Sequence, residues 1–153
     1  MTAPVAIDLD EALGDTRRLW SDWLASASAV LGVEAHALPL DRGDAAAELD
    51  RRGGGNWRVL LERFSEERAA VYVRRDAQTS AALRAIAVAG RELGVFTDAP
   101  EALARVALAQ LGAGRHVVAI ETGTGALERL LERLGPEAVV VSSRAELLEQ
   151  AAA

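Results

Sequence analysis

Two aspartates stand two residues apart near the start of the chain, where a short apolar run ends. The run is Val5-Ala6-Ile7, and Asp8 and Asp10 follow it. Because side chains alternate between faces along a strand, an Asp-x-Asp at the end of a strand leaves both carboxylates near one edge of a sheet. There they could share a metal ion or a phosphate group. A second, purely local interpretation is that Asp8 or Asp10 caps the helix that follows.

The composition limits the function classes. The 153 residues are half hydrophobic and about a quarter charged, which predicts one compact domain with a sizeable core and room for a small insertion. The absence of cysteine excludes disulfides, thiolate catalysis and sulfur-ligated zinc. The formal charge of −6 argues against nucleic acid as a partner. No apolar run approaches roughly 18 residues and the N-terminus lacks a signal-peptide pattern, so we expect a cytoplasmic protein with no membrane partner.

All 17 basic residues of the chain are arginine. Without lysine, the protein has no side chain for a Schiff base and no lysine general base or phosphate clamp. Any cation that a catalytic site needs must therefore be an arginine, a protonated histidine or a metal ion.

The apolar periodicity predicts helices and strands that alternate after residue 70. We expect strands at 3–9, 93–97, 117–120 and 138–141, and helices at 16–31, 79–89, 100–111, 126–134 and 144–152. A further short helix reaching Arg52 and a helix capped by Asn56 complete the prediction. The alternation predicts an α/β fold with a parallel, Rossmann-like sheet of about four strands and helices on both faces.

The section from residue 16 to residue 70 is predicted to be helical. It contains all three tryptophans, Trp20, Trp23 and Trp57, which we interpret as the core of a small helical unit rather than as a ligand platform. Gly53-Gly54-Gly55 lacks the pattern of a phosphate-binding loop, so a hinge or linker is the better interpretation.

Ligands of parallel α/β folds bind beyond the carboxyl ends of the strands. There a carboxylate can attack phosphorus, a second acid can protonate the leaving group, and a threonine hydroxyl can hold the transferring oxygens. Several polar residues follow the predicted strands and should share this rim: Asp8, Asp10, Thr97, Asp98, Glu121, Thr122, Ser142 and Ser143.

These residues resemble the haloacid dehalogenase-like (HAD) superfamily of phosphohydrolases. The family's first motif, D-x-D-G-T-L-x-D-[ST], is similar to Asp8-Leu9-Asp10-Glu11-Ala12-Leu13-Gly14-Asp15-Thr16, and its second, an apolar strand ending in Thr or Ser, is similar to Gly94–Asp98. A helical cap inserted between the two motifs is typical of the family. The resemblance implies an α/β core formed by residues 1–15 and 71–153 and a cap formed by residues 16–70.

The resemblance also implies roles for individual residues. Asp8 would be the nucleophile and a metal ligand, and Asp10 the general acid and base, with its backbone carbonyl on Mg²⁺. Thr97 would bind the phosphoryl group, and Glu146 would be the acid that supports the metal from the fourth motif. The implied activity is hydrolysis of a small phosphorylated metabolite through an aspartyl-phosphate intermediate.

The sequence departs from the family pattern at three places. Glu11-Ala12 replaces Gly-Thr, no lysine exists for the third motif, and Ser142-Ser143 stands where the fourth motif commonly has Gly-Asp or Asp-Asp. Loss of one preorganised charge-stabilising group typically costs on the order of 100- to 1,000-fold in rate. These departures therefore bear directly on whether the site turns over.

Three hypotheses remain at this stage. The first is a divergent Mg²⁺-dependent phosphohydrolase in which Arg129, Arg144 or an arginine of the cap replaces the lysine. The second is a catalytically silent HAD-like domain that binds a ligand or partner or has a structural role. The third, a phosphate-accepting receiver domain, is weaker because it also needs a lysine and leaves the tryptophan-rich insertion without a purpose. A true dehalogenase fits less well than a phosphatase, because the second acid belongs to the phosphotransfer branch of the family.

Overall fold

A computed structural model of the chain describes residues 2–53 and 55–153. Its sheet contains the strands β1 (Val5–Asp8), β2 (Leu93–Thr97), β3 (Val117–Thr122) and β4 (Val139–Val141). All neighbouring strands are parallel, in the order β3-β2-β1-β4. The predicted α/β fold with a parallel four-stranded sheet is confirmed. Since the chain runs outward from β1 to β3 and then returns to the other side of β1, the strand order reverses beside β1, where such folds bind ligands.

The helices lie close to their predicted positions, and the boundaries given for the helices at 16–31, 79–89, 100–111, 126–134 and 144–152 are within two residues of the observed ones. They are α1 (Arg17–Leu31), α2 (Arg42–Arg51), α3 (Trp57–Tyr72), α4 (Ala77–Val88), α5 (Glu101–Leu111), α6 (Ala126–Leu134) and α7 (Arg144–Ala152). Two strands differ from the prediction by more than one residue. β3 continues two residues further than predicted, to Thr122. β1 spans Val5–Asp8 instead of 3–9, and a single π-helical turn, Leu9–Leu13, leads from it toward α1.

Helices cover both faces of the sheet, as predicted. On one face, Ile7 and Val95 pack in a core that includes residues of α4, α5 and α7. On the other face, the neighbouring residues Ala6, Gly94 and Ala119 form a floor of small side chains beneath α6. A Cβ added at Gly94 would lie 2.6 Å from Leu130 Cδ1, so α6 approaches the sheet closely only because this position is glycine.

The three tryptophans pack against one another, as the sequence predicts. Their ring centroids are 5.2–6.5 Å apart and all three rings are buried. Trp57 also donates its Nε1–H to Asp50 Oδ1 at 2.9 Å, which satisfies its one polar atom. The cluster extends to Ala99 and Leu103, so α1–α3 share a core with the start of α5.

Gly54, the middle residue of the predicted glycine hinge, lies outside the described residues. Its neighbours Gly53 and Gly55 both have left-handed backbone conformations, with φ of 66° and 62°, which glycine adopts without steric cost. Within residues 2–53 and 55–153, none of the helices combines the length and the apolarity that a membrane crossing requires.

Candidate functional site

Asp8 lies at the carboxyl end of β1, in register with Phe96 of β2. Its Oδ1 accepts the backbone N–H groups of Asp10, at 3.1 Å, and Glu11, at 3.4 Å. The local interpretation of the sequence is therefore confirmed for this oxygen, because it caps the π-helical turn. Asp8 Oδ2 has no hydrogen-bond partner in the part of the chain that the structure describes, and Asp8 lines a cavity of about 370 Å³.

Asp10 has the opposite environment. Its side chain is 7% exposed. Its Oδ1 accepts the N–H of Thr16 at 2.9 Å and the Thr16 hydroxyl at 2.6 Å. Its Oδ2 accepts the Thr97 hydroxyl at 2.8 Å and Arg42 Nη2 at 2.6 Å. Both oxygens of the predicted general acid are thus already occupied by donors of the protein itself.

Arg42, the first residue of α2, supplies the cation of this site. Its side chain is 3% exposed. Besides Asp10, Nη1 donates to Thr16 Oγ1 at 2.7 Å, and Nη2 and Nε donate to Asp98 Oδ1 at 2.8 and 3.1 Å. The backbone N–H of Arg42 donates to Asp98 Oδ2 at 2.9 Å, so Asp98 also satisfies the start of α2. We call Asp10, Thr16, Arg42, Thr97 and Asp98 the Arg42 cluster.

The sequence indicates that Arg42 is buried in an ion pair, although Arg42 belongs to neither of the two motifs. Buried residues of α2 lie at positions 42, 45, 46 and 49, the i, i+3, i+4, i+7 spacing of one helix face. An arginine at an otherwise apolar position of that face must find a buried anion, since an unpaired buried charge is very costly. Among the arginines of residues 16–70, the spacing of the buried positions of α2 therefore selects Arg42.

The other two arginines considered for the missing lysine are committed elsewhere. Arg129 donates to Glu121 Oε1 at 2.9 Å and to the carbonyls of Thr122 and Thr124. Arg144 donates to Asp76 Oδ2 at 2.6 Å and to Gln78 Oε1 at 2.7 Å. Among the three candidates, Arg42 is the one in contact with Asp10.

The start of α2 also packs directly on the loop that follows β3. A Cβ added at Gly43 would lie 2.3 Å from the backbone nitrogen of Thr124, so this approach requires glycine. The Thr124 hydroxyl donates to Asp44 Oδ1 at 3.1 Å. A second cavity, of about 400 Å³, is lined by Gly43, Asp98 and Gly123 among others. Asp98 and Gly123 line the first cavity as well.

The electrostatics differ between the two acids at the ends of β1 and β2. Burial raises the pKa of Asp8, and the nearby charge of Asp10 adds to the rise, while the backbone N–H of Glu11 opposes it. Burial also acts to raise the pKa of Asp98, but the side-chain and backbone hydrogen bonds from Arg42 outweigh it and lower the pKa overall. Asp8 is therefore the acid whose ionised form is poorly compensated.

The cavity at Asp8 is strongly acidic. Six carboxylate residues and one arginine, Arg17, line it, and the acids are Asp8, Asp10, Glu11, Asp41, Asp98 and Glu128. Arg42 neutralises part of this charge from behind Asp10 and Asp98, and Arg17 pairs with Glu11 at 2.9 Å. A dianionic ligand would need further positive charge from a metal ion or from Arg42 itself.

The structure brings together three of the four residues predicted from the sequence. Asp8, Asp10 and Thr97 all line the same cavity. Glu146 is not among the residues that line it. Glu146 Oε2 accepts the N–H of Ser142 at 2.8 Å, and the Ser143 hydroxyl accepts the N–H of Glu146 at 3.1 Å, so this carboxylate helps to begin α7. Its role near a metal stays a prediction.

The protein offers few oxygen donors near Asp8. They fit Mg²⁺ only in the binding mode in which waters and substrate oxygens supply most of its ligands. Mg²⁺ commonly uses one or two carboxylates together with substrate phosphate oxygens and several waters. Asp8 Oδ2 lacks a protein partner, and the resemblance adds the main-chain carbonyl of Asp10. No cluster of three or more potential metal-ligating side chains occurs across residues 2–53 and 55–153. This donor set suits an ion that arrives with a phosphate.

The comparisons with known proteins do not identify a family for this chain. No family model matches the chain, and the curated proteins include no significant match to it. The resemblance to HAD phosphohydrolases therefore depends on the two motifs, their order along the chain and the fold they occupy.

Proposed function

We propose that the protein is a divergent phosphohydrolase of the HAD type that hydrolyses small phosphate esters. The observation that carries the proposal is the state of Asp8. Asp8 is the last residue of the central strand β1, one of its oxygens accepts two backbone N–H groups, and the other lacks a protein partner among the described residues. A carboxylate held in this way beside a cavity has the position that an attacking nucleophile needs.

The proposed reaction has two steps. First, Asp8 Oδ2 attacks the phosphorus, the bond from phosphorus to the ester oxygen breaks, and the leaving oxygen takes a proton from Asp10. Next, a water molecule gives a proton to Asp10 and attacks the same phosphorus, and the bond to Asp8 breaks, which releases inorganic phosphate. Thr97 would bind the transferring oxygens, and α1–α3 would act as a cap that excludes bulk water.

A magnesium ion fits this proposal as a partner of the substrate. Asp8 and the main-chain carbonyl of Asp10 would hold it, and the ion would supply positive charge to the phosphoryl oxygens. The negative lining of the cavity supports the need for such a cation, because six carboxylate residues and a single arginine, Arg17, line it.

The experiment that tests this proposal is phosphate release from p-nitrophenyl phosphate in the presence and absence of Mg²⁺. We expect Mg²⁺-dependent release by the unaltered protein and release at background level by Asp8→Asn. Asp22→Asn is the matched control, because Asp22 is an acid of α1 whose partner is the Tyr72 hydroxyl, and we expect it to keep its activity. Release that persists in Asp8→Asn, or none across a broad panel of phosphate esters, would overturn the proposal.

A second candidate function is a catalytically silent domain that binds a ligand or partner. The Arg42 cluster supports this alternative, because Asp10 and Thr97 are both engaged by protein groups and Thr97 is buried. In a silent domain the cluster would serve only to fix the helical segment on the sheet. Binding of a phosphate ester without its hydrolysis would favour this alternative over the enzyme.

A further inference from the structure

The side chain of Arg42 holds α2 against the ends of β1 and β2. It also donates hydrogen bonds to Asp10 and Thr97, the acid and the hydroxyl that the proposed reaction uses. Its Nη2 lies 2.6 Å from Asp10 Oδ2 and 3.3 Å from Thr97 Oγ1. As long as these contacts persist, Asp10 cannot turn toward a leaving group without breaking them.

The partners of Arg42 resemble the ligand that the site is proposed to bind. Two carboxylates, Asp10 and Asp98, share the guanidinium, and a phosphate group offers the same geometry of paired oxygens with more negative charge. Asp10, Thr97 and Asp98 also line the cavity at Asp8. A phosphate in that cavity is therefore separated from the guanidinium only by the side chains that now bind it.

We propose that Arg42 is the phosphoryl-binding cation of this site and that it reaches the phosphate by exchanging partners. In the unliganded state Arg42 binds the Asp10 carboxylate. When a phosphate ester enters, the guanidinium binds phosphoryl oxygens, and the released Asp10 takes up a proton from water and then acts as the acid. This inference deepens the proposed function and rests on it. Two arginines are buried among the described residues, Arg42 and Arg91. Arg91 binds Ala3 and Gln150, so Arg42 is the buried cation that is paired with the proposed general acid.

The packing at the start of α2 limits how far this helix can move during the exchange. Gly43 lies against the backbone of Thr124, and Asp44 accepts the Thr124 hydroxyl. These contacts keep α2 near the sheet while the side chain of Arg42 changes its partner. The guanidinium therefore needs a rotation of its own side chain rather than a full opening of the helical segment.

The test measures the affinity for inorganic phosphate by isothermal titration calorimetry at constant Mg²⁺. Asp10→Asn removes the carboxylate that competes for Arg42, so we expect phosphate to bind about tenfold more tightly than to the unaltered protein. Glu128→Gln is the matched control. Glu128 lines the same cavity, and this substitution also removes one negative charge. Because Glu128 lies on α6 outside the Arg42 cluster, we expect the affinity for phosphate to change by less than about twofold.

The reciprocal variants identify the cation. Arg42→Gln should weaken phosphate binding by about tenfold or more, and the double variant with Asp10→Asn should lose the gain seen in Asp10→Asn alone. Arg42→Lys keeps the charge without the fork of donors and should restore part of the affinity. If Arg42→Gln does not fold, the comparison of Asp10→Asn with Glu128→Gln still decides the question.

Equal gains in Asp10→Asn and Glu128→Gln would overturn the inference, because they would reflect only the loss of negative charge in the cavity. Absence of phosphate binding to every variant would overturn it as well. This test can fail without contradicting the proposed function. If phosphate release depends on Asp8 but the affinity for phosphate does not depend on Arg42, the protein is the proposed enzyme and the exchange of partners is wrong. The expected pattern of affinities without any hydrolysis would keep the exchange and reject the enzyme.

Discussion

Asp8 and Asp10 belong to one short motif, yet their surroundings contrast at every level. Asp10 is almost fully buried, and each of its oxygens accepts two hydrogen bonds, one of them from a buried arginine. Asp8 has one oxygen held by backbone N–H groups and borders a cavity, and its pKa is raised by burial. The contrast teaches that a single buried cation can leave one of two carboxylates at a sheet edge fully hydrogen-bonded while the other keeps an oxygen without a partner among the described residues.

Arg42→Ala removes the cation that distinguishes the surroundings of Asp10 from those of Asp8, and we expect it to cause the largest loss of stability. It would leave Asp10 and Asp98 as buried or partly buried charges without a cation, at a cost of about 3–5 kcal/mol in the free energy of unfolding. Urea denaturation followed by tryptophan fluorescence measures this cost. Arg52→Ala is the control, because Arg52 pairs with Glu48 on the exposed surface, and we expect a loss of about 1 kcal/mol or less. Equal losses would contradict the assigned role of Arg42.

Asp10→Asn should have the next largest effect on stability. The amide keeps hydrogen-bond capacity but removes the charge that faces Arg42, and Asp98 remains to compensate the guanidinium. We expect a loss of about 2–3 kcal/mol in the free energy of unfolding, the range of a charged hydrogen bond. Chemical denaturation at pH 7 would show it, and a stability equal to that of the unaltered protein would mean that the pair contributes little.

Gly43→Ala tests the contact between α2 and the loop after β3. Overpacking typically costs about 1–3 kcal/mol, and the gain from alanine in a helix offsets roughly 1 kcal/mol of it. We therefore expect a net loss of up to about 2 kcal/mol by thermal or chemical denaturation. Gly114→Ala, where an added Cβ would meet nothing within 4 Å, should lose less than Gly43→Ala.

Asp8→Asn should have the smallest effect on stability, and of the opposite sign. Since the pKa of Asp8 is raised in the folded state, the ionised carboxylate opposes folding above that pKa, and this penalty disappears as the pH falls through it. We expect Asp8→Asn to be at least as stable as the unaltered protein at pH 7, with any gain shrinking toward acid pH. Melting temperatures between pH 7 and pH 4 measure the difference, and a clear loss at pH 7 would show that Asp8 is structural.

The fold could be predicted from the sequence because its signals are local. Apolar runs, the period of helical side chains and glycines at helix ends fixed β2, α6 and α7 to within a residue. The strand predicted at 3–9 is Val5–Asp8. Its C-terminal end was predicted one residue too far along the chain, because the carboxylate of Asp8 accepts two backbone N–H groups and starts a π-helical turn there. Such a competition between side chain and strand is not visible in the apolar pattern.

The site was predictable only in part, for a physical reason. Asp8, Asp10 and Thr97 follow strands that must end at one edge, so their proximity follows from the parallel sheet. Arg42 comes from a helix whose position over that edge depends on tertiary packing, and only its place on the buried face of α2 hinted at a buried ion pair. The loop contact at Gly43 had no local signal at all, because glycine there serves a partner 81 residues away, Thr124.

The most direct test of the central claim is capture of the proposed intermediate on Asp8. The protein is mixed with p-nitrophenyl phosphate and Mg²⁺, quenched rapidly in acid and digested, and the peptide that contains Asp8 is analysed by mass spectrometry. We predict a phosphoryl group on Asp8 in the unaltered protein and none in Asp8→Asn. Phosphate release without any modified Asp8 peptide, or a phosphoryl group on a different residue, would contradict the assignment of Asp8 as the nucleophile.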